Sequence, residues 1–208
     1  MIKLNPISRK LLLLQRNELL TKRQKWLRKR FGRLIFTNIF VNFFQSKNIE
    51  NRAEILFSKE IETFKNFLPN KVDNIIDIGC GLGIIDIFLN KLYLNKPNFF
   101  LLDKNKIDKK IKYGFSYNYE SYNNLDETRK ILSDSYIEND RIHIFDVEKP
   151  IIINQQIDLV ISLKSMGYHY PFETYLDLFK KCCSSNTVFI FDIIDGHNNE
   201  EEFKKYFT

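Results

Sequence analysis

Across residues 53–68 the apolar positions Ile55, Leu56, Ile61, Phe64, Phe67 and Leu68 recur at helical spacing, and Pro69-Asn70 ends the stripe. Beyond it the texture changes. Short runs that are apolar at nearly every position predict strands at 74–78, 98–103, 141–146, 157–162 and 187–193. Between them the periodicity predicts helices at 84–94, 124–132 and 172–182, with one more short helix at 200–206. Strands apolar on both faces and alternating with helices make a parallel sheet covered on each side. The expected class is α/β, a doubly wound and mostly parallel sheet.

Ahead of this body the pairs Leu19/Leu20, Trp26/Leu27 and Leu34/Ile35 recur every seven or eight positions, with Lys22, Arg23, Lys25, Arg28, Lys29, Arg30 and Arg33 between them. That pattern predicts a basic amphipathic helix, and residues 1–50 are assigned to a helical arm preceding a domain at 51–208. Residues 1–35 hold eleven of the 32 Lys and Arg and one acid, Glu18, a net +10; the other 21 bases and 25 acids leave the remainder at −4. Such an arm suits an anionic membrane surface, RNA or a phosphorylated substrate. Equally, it can pack its apolar stripe on the body and leave its bases in water.

A length of 208 residues, with 44% hydrophobic and 28% charged residues, fits one globular domain. The longest apolar stretches, 11–14 and 34–44, fall short of the ~20 residues a membrane span needs. No signal peptide reads from the start. Three cysteines, two of them adjacent, make no disulfide framework, and no His/Cys cluster has zinc-ligand spacing, so no metal is expected. The expectation is a cytoplasmic protein, with peripheral membrane contact open to the arm.

Three of the seven glycines, Gly79, Gly81 and Gly83, lie between the first strand and its helix. A glycine turn at the end of a central strand is where doubly wound sheets bind nucleoside-containing ligands, and Asp103, 20 residues after Gly83, can accept hydrogen bonds from a ribose diol. The dinucleotide fingerprint G-x-G-x-x-G would need glycine at 84 or 86, where Ile84 and Asp86 stand, and the Gly-Lys-Ser/Thr of a P-loop is missing. What remains is Asp77-x-Gly79-x-Gly81-x-Gly83.

With that loop, Asp103, Asp146 and the strand ending at Ser162, the chain resembles the class I S-adenosylmethionine-dependent methyltransferases over about 75–193. The resemblance implies a Rossmann-like domain with S-adenosylmethionine as cofactor. It implies that Asp77, Gly79, Cys80, Gly81 and Gly83 form the loop beneath the cofactor, with Asp77 near the methionine amino group. Asp103 and its neighbour Lys104 would meet the ribose. Asp146 would take the adenine amine, with Val147 supplying a backbone N–H, and Ser162 would sit at the strand tip facing the methyl. The family's sheet normally closes with a C-terminal β-hairpin, and the 13 residues after Asp195 hold none, so 188–193 is expected as an apolar sheet edge through which a homo-oligomer could form.

After the fourth strand the sequence lacks the Asn/Asp-Pro-Pro-aromatic signature of amino-group methyltransferases and instead places His169 between Tyr168 and Tyr170. An imidazole titrates near neutrality, so His169 is the candidate general base, with a packing role as the alternative. His143 is expected to be structural, and His197 is a second candidate. Tyr113, Tyr117, Tyr119 and Tyr122 could stack on a sugar or base, close over the cofactor or pack in the core. The segment 162–171, with Tyr122-Asn123-Asn124-Leu125 before the third strand, is similar to bacterial methyltransferases, some of them labelled sugar O-methyltransferases, so the expected acceptor is a small molecule or glycan. The alternatives are an RNA methyltransferase gripping phosphates with the arm, and a non-catalytic cofactor-binding subunit.

Overall fold

Five strands, β1 (Asn74–Ile78), β2 (Asn98–Asp103), β3 (Ile142–Asp146), β4 (Leu159–Ser162) and β5 (Val188–Phe191), form an all-parallel sheet in the order β3-β2-β1-β4-β5. The computed structural model describes residues 2–40, 46–107, 122–166, 172–192 and 203–207. The strands are apolar on both faces because both faces are covered. Ile75 and Ile76, neighbours pointing to opposite sides, are each fully buried in separate clusters. One side packs under α4 (Ser46–Phe64), α5 (Ile84–Leu92) and α6 (Leu125–Asp134); the other packs under α7 (Leu176–Cys182) and Phe203. This is the expected Rossmann-like α/β architecture.

The strand positions follow the expectation closely, and the helix ends depart from it for local reasons. α5 stops at Leu92 rather than 94 because Leu94 and Asn95 take left-handed conformations, with the Asn95 N–H turned back to the Asn90 carbonyl at 2.7 Å. The segment expected as a helix from 172 opens with a 3₁₀ turn, Phe172–Tyr175, before α7. β5 pairs with β4 alone among the described residues and is half-buried, its Phe189 packed edge-on against Phe179 and Phe207 and its Phe191 tilted against Phe203.

The single amphipathic helix expected near the N-terminus is three helices. α1 (Pro6–Gln15) is capped by the Asn5 side chain, α2 (Lys22–Phe31) by a Thr21–Gln24 capping box, and α3 (Arg33–Phe40) follows Gly32, whose φ of 82° breaks the run. Leu11, Leu12 and Leu13 are buried in the same cluster as Ile75, Leu101 and Ile161 of the sheet. Arginines tie the turns together: Arg28 donates to the Leu13 carbonyl, Arg33 to that of Leu14 and Arg52 to that of Leu19. Two of the carbonyls in the last turn of α1, those of Leu13 and Leu14, are thus taken up by arginines of α2 and α3.

Candidate functional site

β1 and β4 are adjacent while β2 and β3 run outward on the other side, so the sheet reverses direction between β1 and β4. A parallel sheet leaves a crevice at the carboxyl ends of its strands where such a reversal occurs. Asp103, Asp146 and Ser162 end β2, β3 and β4 at that edge.

The glycine loop lies across it. Gly79, Gly81 and Gly83 have φ of 73°, 55° and 68°. Two of them also meet close neighbours. A Cβ on Gly79 would stand 2.2 Å from Ser165 Oγ, and one on Gly81 would stand 2.9 Å from Gln15 Oε1. The loop is pinned by the Gly79 N–H donating to the Leu102 carbonyl at 2.7 Å. The Gly81 peptide is clamped from both sides: its N–H donates to Asp103 Oδ2 at 2.8 Å, while its carbonyl accepts from Asn123 Nδ2 and Thr128 Oγ1, both at 2.8 Å.

Asp103 is the hub of this arrangement. Oδ2 also accepts from Asn123 Nδ2 at 3.0 Å, and Oδ1 accepts from the Lys104 N–H at 2.7 Å, which leaves Oδ1 with most of the remaining acceptor capacity. Burial pushes its carboxyl up to about 6 against the pull of these donors. Asp77, on the sheet face toward α1, α4 and α5, is raised to about 7 by burial, with Arg16 tempering the shift. Asp86, in the first turn of α5, is pushed higher still by burial and by Asp77. Among the described residues neither Asp86 oxygen has a hydrogen-bonding N–H or hydroxyl partner. Two buried carboxyls and the partly buried Asp103 therefore surround one loop, and burial, with the charge of these acids added, raises the Cys80 thiol.

The other expected residues are engaged locally. Asp146 sits opposite Asp103 in register and accepts from the Glu148 N–H at 3.1 Å, while the Val147 N–H is donated to the Asp103 carbonyl at 3.0 Å rather than pointing free. Lys104 pairs with Glu148 at 3.2 Å. The Ser162 hydroxyl is buried between strands, donating to the Ile78 carbonyl at 2.7 Å and accepting from the Met166 N–H at 2.9 Å, so it holds the segment after β4 instead of facing outward. His143 stacks on Phe100 with ring centroids 4.6 Å apart. His169, His197, Tyr113, Tyr117 and Tyr119 lie outside the described residues.

Sequence reasoning missed Gln15, Asp86, Asn123, Thr128 and Ser165. Gln15 reaches from the end of α1 to the Tyr122 carbonyl at 2.8 Å, which brings the N-terminal helix onto the loop. Beside it Arg16 forms a bidentate pair with Glu60 at 2.9 and 3.1 Å, and Lys164 bridges Glu18 and Glu60. Of the five, Asp86 alone left a signal, a charged residue inside an otherwise apolar helix start.

A comparison with protein-family models gives no match, and neither does one with curated proteins. Solved structures do resemble the chain. The segment StiE O-MT, residues 961–1257, aligns over 74% of this chain with a TM-score of 0.51 at 16% identity. A protein described as an S-adenosyl-L-methionine-dependent methyltransferase from Methanococcus maripaludis aligns over 74% at 21% identity (TM-score 0.44), and precorrin-6y C5,15-methyltransferase from Geobacter metallireducens over 74% at 15% (TM-score 0.46). This chain spans 49%, 61% and 66% of those three. What the chain shares with StiE O-MT is the fold, a Rossmann-like α/β sheet.

Proposed function

We infer that this chain is an S-adenosylmethionine-dependent methyltransferase whose acceptor is a hydroxyl of a sugar or another small molecule. The observation that carries the reading is the set of carboxyls, buried Asp77 and Asp86 and partly buried Asp103, around a left-handed glycine loop at the switch point. Such a set fits a ligand with a cationic end and a diol. Asp103 would accept the ribose hydroxyls through Oδ1, and Asp77 with Asp86 would hold the methionine ammonium. Asp146 would take the adenine amine.

When bound, the cofactor supplies an electrophilic methyl on a sulfonium. Displacement there is in-line, so the protein acts mainly by alignment. Ser162, through the Met166 N–H, and Ser165, against Gly79, would set where the following segment begins, and His169 in that segment would take the acceptor's proton. The basis for His169 and for a hydroxyl acceptor is the sequence around the end of β4.

Calorimetry with S-adenosylhomocysteine tests the site, and tritiated-methyl transfer into separated RNA, protein, lipid-glycan and small-metabolite pools tests the reaction. Micromolar-range binding is expected, with label in a hydroxyl-bearing glycan or metabolite pool. His169→Ala should lower turnover without changing cofactor affinity. Absence of binding by both S-adenosylmethionine and S-adenosylhomocysteine would overturn the reading, and label in RNA alone would overturn the choice of acceptor.

A further inference from the structure

We propose that α2 and α3 form a surface that seats on an anionic lipid bilayer. α2 buries none of its residues. Trp26 is 65% exposed, and its helix neighbours at −4, −3, +3 and +4 are Lys22, Arg23, Lys29 and Arg30, all exposed, with Lys25 beside them. No acid occurs between Glu18 and Glu50. Among the described residues none of these five cations is in a salt bridge. The arginines that do have structural work, Arg28 and Arg33, turn inward to the end of α1.

α3, packed against α2, adds the apolar component. Phe36 and Thr37 are buried, while Ile35 and Ile39, one turn apart on the opposite face, are 55% and 52% exposed, and Phe31 at the junction is 47% exposed. This combination chooses between polyanions. A single-stranded nucleic acid is gripped by cations and stacked on aromatic rings, and it gives exposed isoleucines nothing to bind. A bilayer interface accepts both: phosphate headgroups meet the lysines and arginines, Trp26 lies at headgroup level, and Ile35 and Ile39 enter the acyl boundary. No helix among the described residues is long and apolar enough to cross the membrane, so the contact is with its surface.

Trp26 is the chain's sole tryptophan and reports on the contact directly. The full chain is mixed with vesicles of phosphatidylcholine alone, or with about one-third phosphatidylglycerol. Co-sedimentation and a blue shift of Trp26 emission are expected with the anionic vesicles only, with partitioning falling at least about tenfold from low to high salt. Lys22→Gln/Lys29→Gln/Arg30→Gln should weaken partitioning about tenfold or more, and Ile35→Ser/Ile39→Ser should weaken it while leaving the salt dependence in place. All five positions are exposed, and an unchanged circular-dichroism melt confirms that the variants fold. The wild-type lipid and salt dependence tests the proposal even if one does not. No shift with anionic vesicles overturns it. So does a blue-shifted emission that appears without vesicles at rising protein concentration, which would mean a second copy covers Trp26. Binding of a single-stranded RNA in place of vesicles, unaffected by Ile35→Ser/Ile39→Ser, overturns it too. None of these readouts depends on methyl transfer.

Discussion

Asp103 accepts three N–H donors and still titrates near 6, so burial outweighs hydrogen bonding at this residue. A group in that position serves binding at some cost to the fold, and the two effects can be separated. Asp103→Asn keeps the shape and removes the charge. Hydrogen bonds to a charged acceptor contribute ~1.5–3 kcal/mol, so cofactor affinity should fall by roughly ten- to a hundredfold by calorimetry. In the ligand-free variant the amide NH2 must face either the Lys104 N–H or the Gly81 and Asn123 donors, so one acceptor is lost while the charge is relieved; in urea denaturation at pH 8 stability should fall by no more than about 1–3 kcal/mol. Lost affinity in a variant that stays folded marks a ligand-binding acid; lost stability with unchanged affinity would return Asp103 to the role of loop staple. The residue was legible from its place one strand after the glycines. Asn123 and Thr128 were not, because their partner, the Gly81 carbonyl, is 42 and 47 positions away and an Asn before a helix ordinarily reads as a cap.

At the scale of elements, the strands were visible because each is apolar at consecutive positions, whereas α1 was hidden inside a charge pattern. Its four leucines, Leu11–Leu14, look like a short apolar run among bases, and only the fold shows that Leu11–Leu13 join the core that covers β1 and β2. The break into three helices was written in Thr21-x-x-Gln24 and in Gly32, signals that the seven-residue recurrence of apolar pairs overshadowed. Placement of α1 also carries Gln15 onto the glycine loop, so packing of this helix and geometry of the loop are linked. Leu12, 1% exposed, tests the link. Leu12→Ala should cost ~2–5 kcal/mol in a single cooperative urea transition. It should also weaken S-adenosylhomocysteine binding. A variant that exposes residues 6–40 to hydrogen exchange while the sheet keeps wild-type protection would instead show a helix that docks without supporting the core.

For the molecule as a whole, the crevice concentrates acid in a chain whose net charge is +6, and that gives its stability a pH slope. Asp77 and Asp103 hold their protons up to about 7 and about 6 in the folded chain, both from the same ordinary value of 3.8, and Asp86 holds its proton higher still. Between about pH 4 and 7 the folded state therefore binds more protons than the unfolded state does, and the stability these groups contribute falls as pH rises through that window. Glu18, half-buried beside Lys164, is shifted the other way and works against the slope at the acid end. Comparison of the wild type with Asp86→Asn isolates the buried pair, since the amide can donate to Asp77 without a proton of its own to lose. The wild type should lose stability relative to Asp86→Asn on going from pH 5 to pH 8. A cationic ligand reverses the preference, because it is attracted to the ionised acids: affinity for S-adenosylmethionine should rise over the same interval, with protons released on binding. Calorimetry in two buffers of different ionisation enthalpy measures that release. A stability difference that does not change with pH, together with binding that releases no protons, would mean that these carboxyls neither share a proton nor face the ligand, and that the acids beneath the loop serve packing alone.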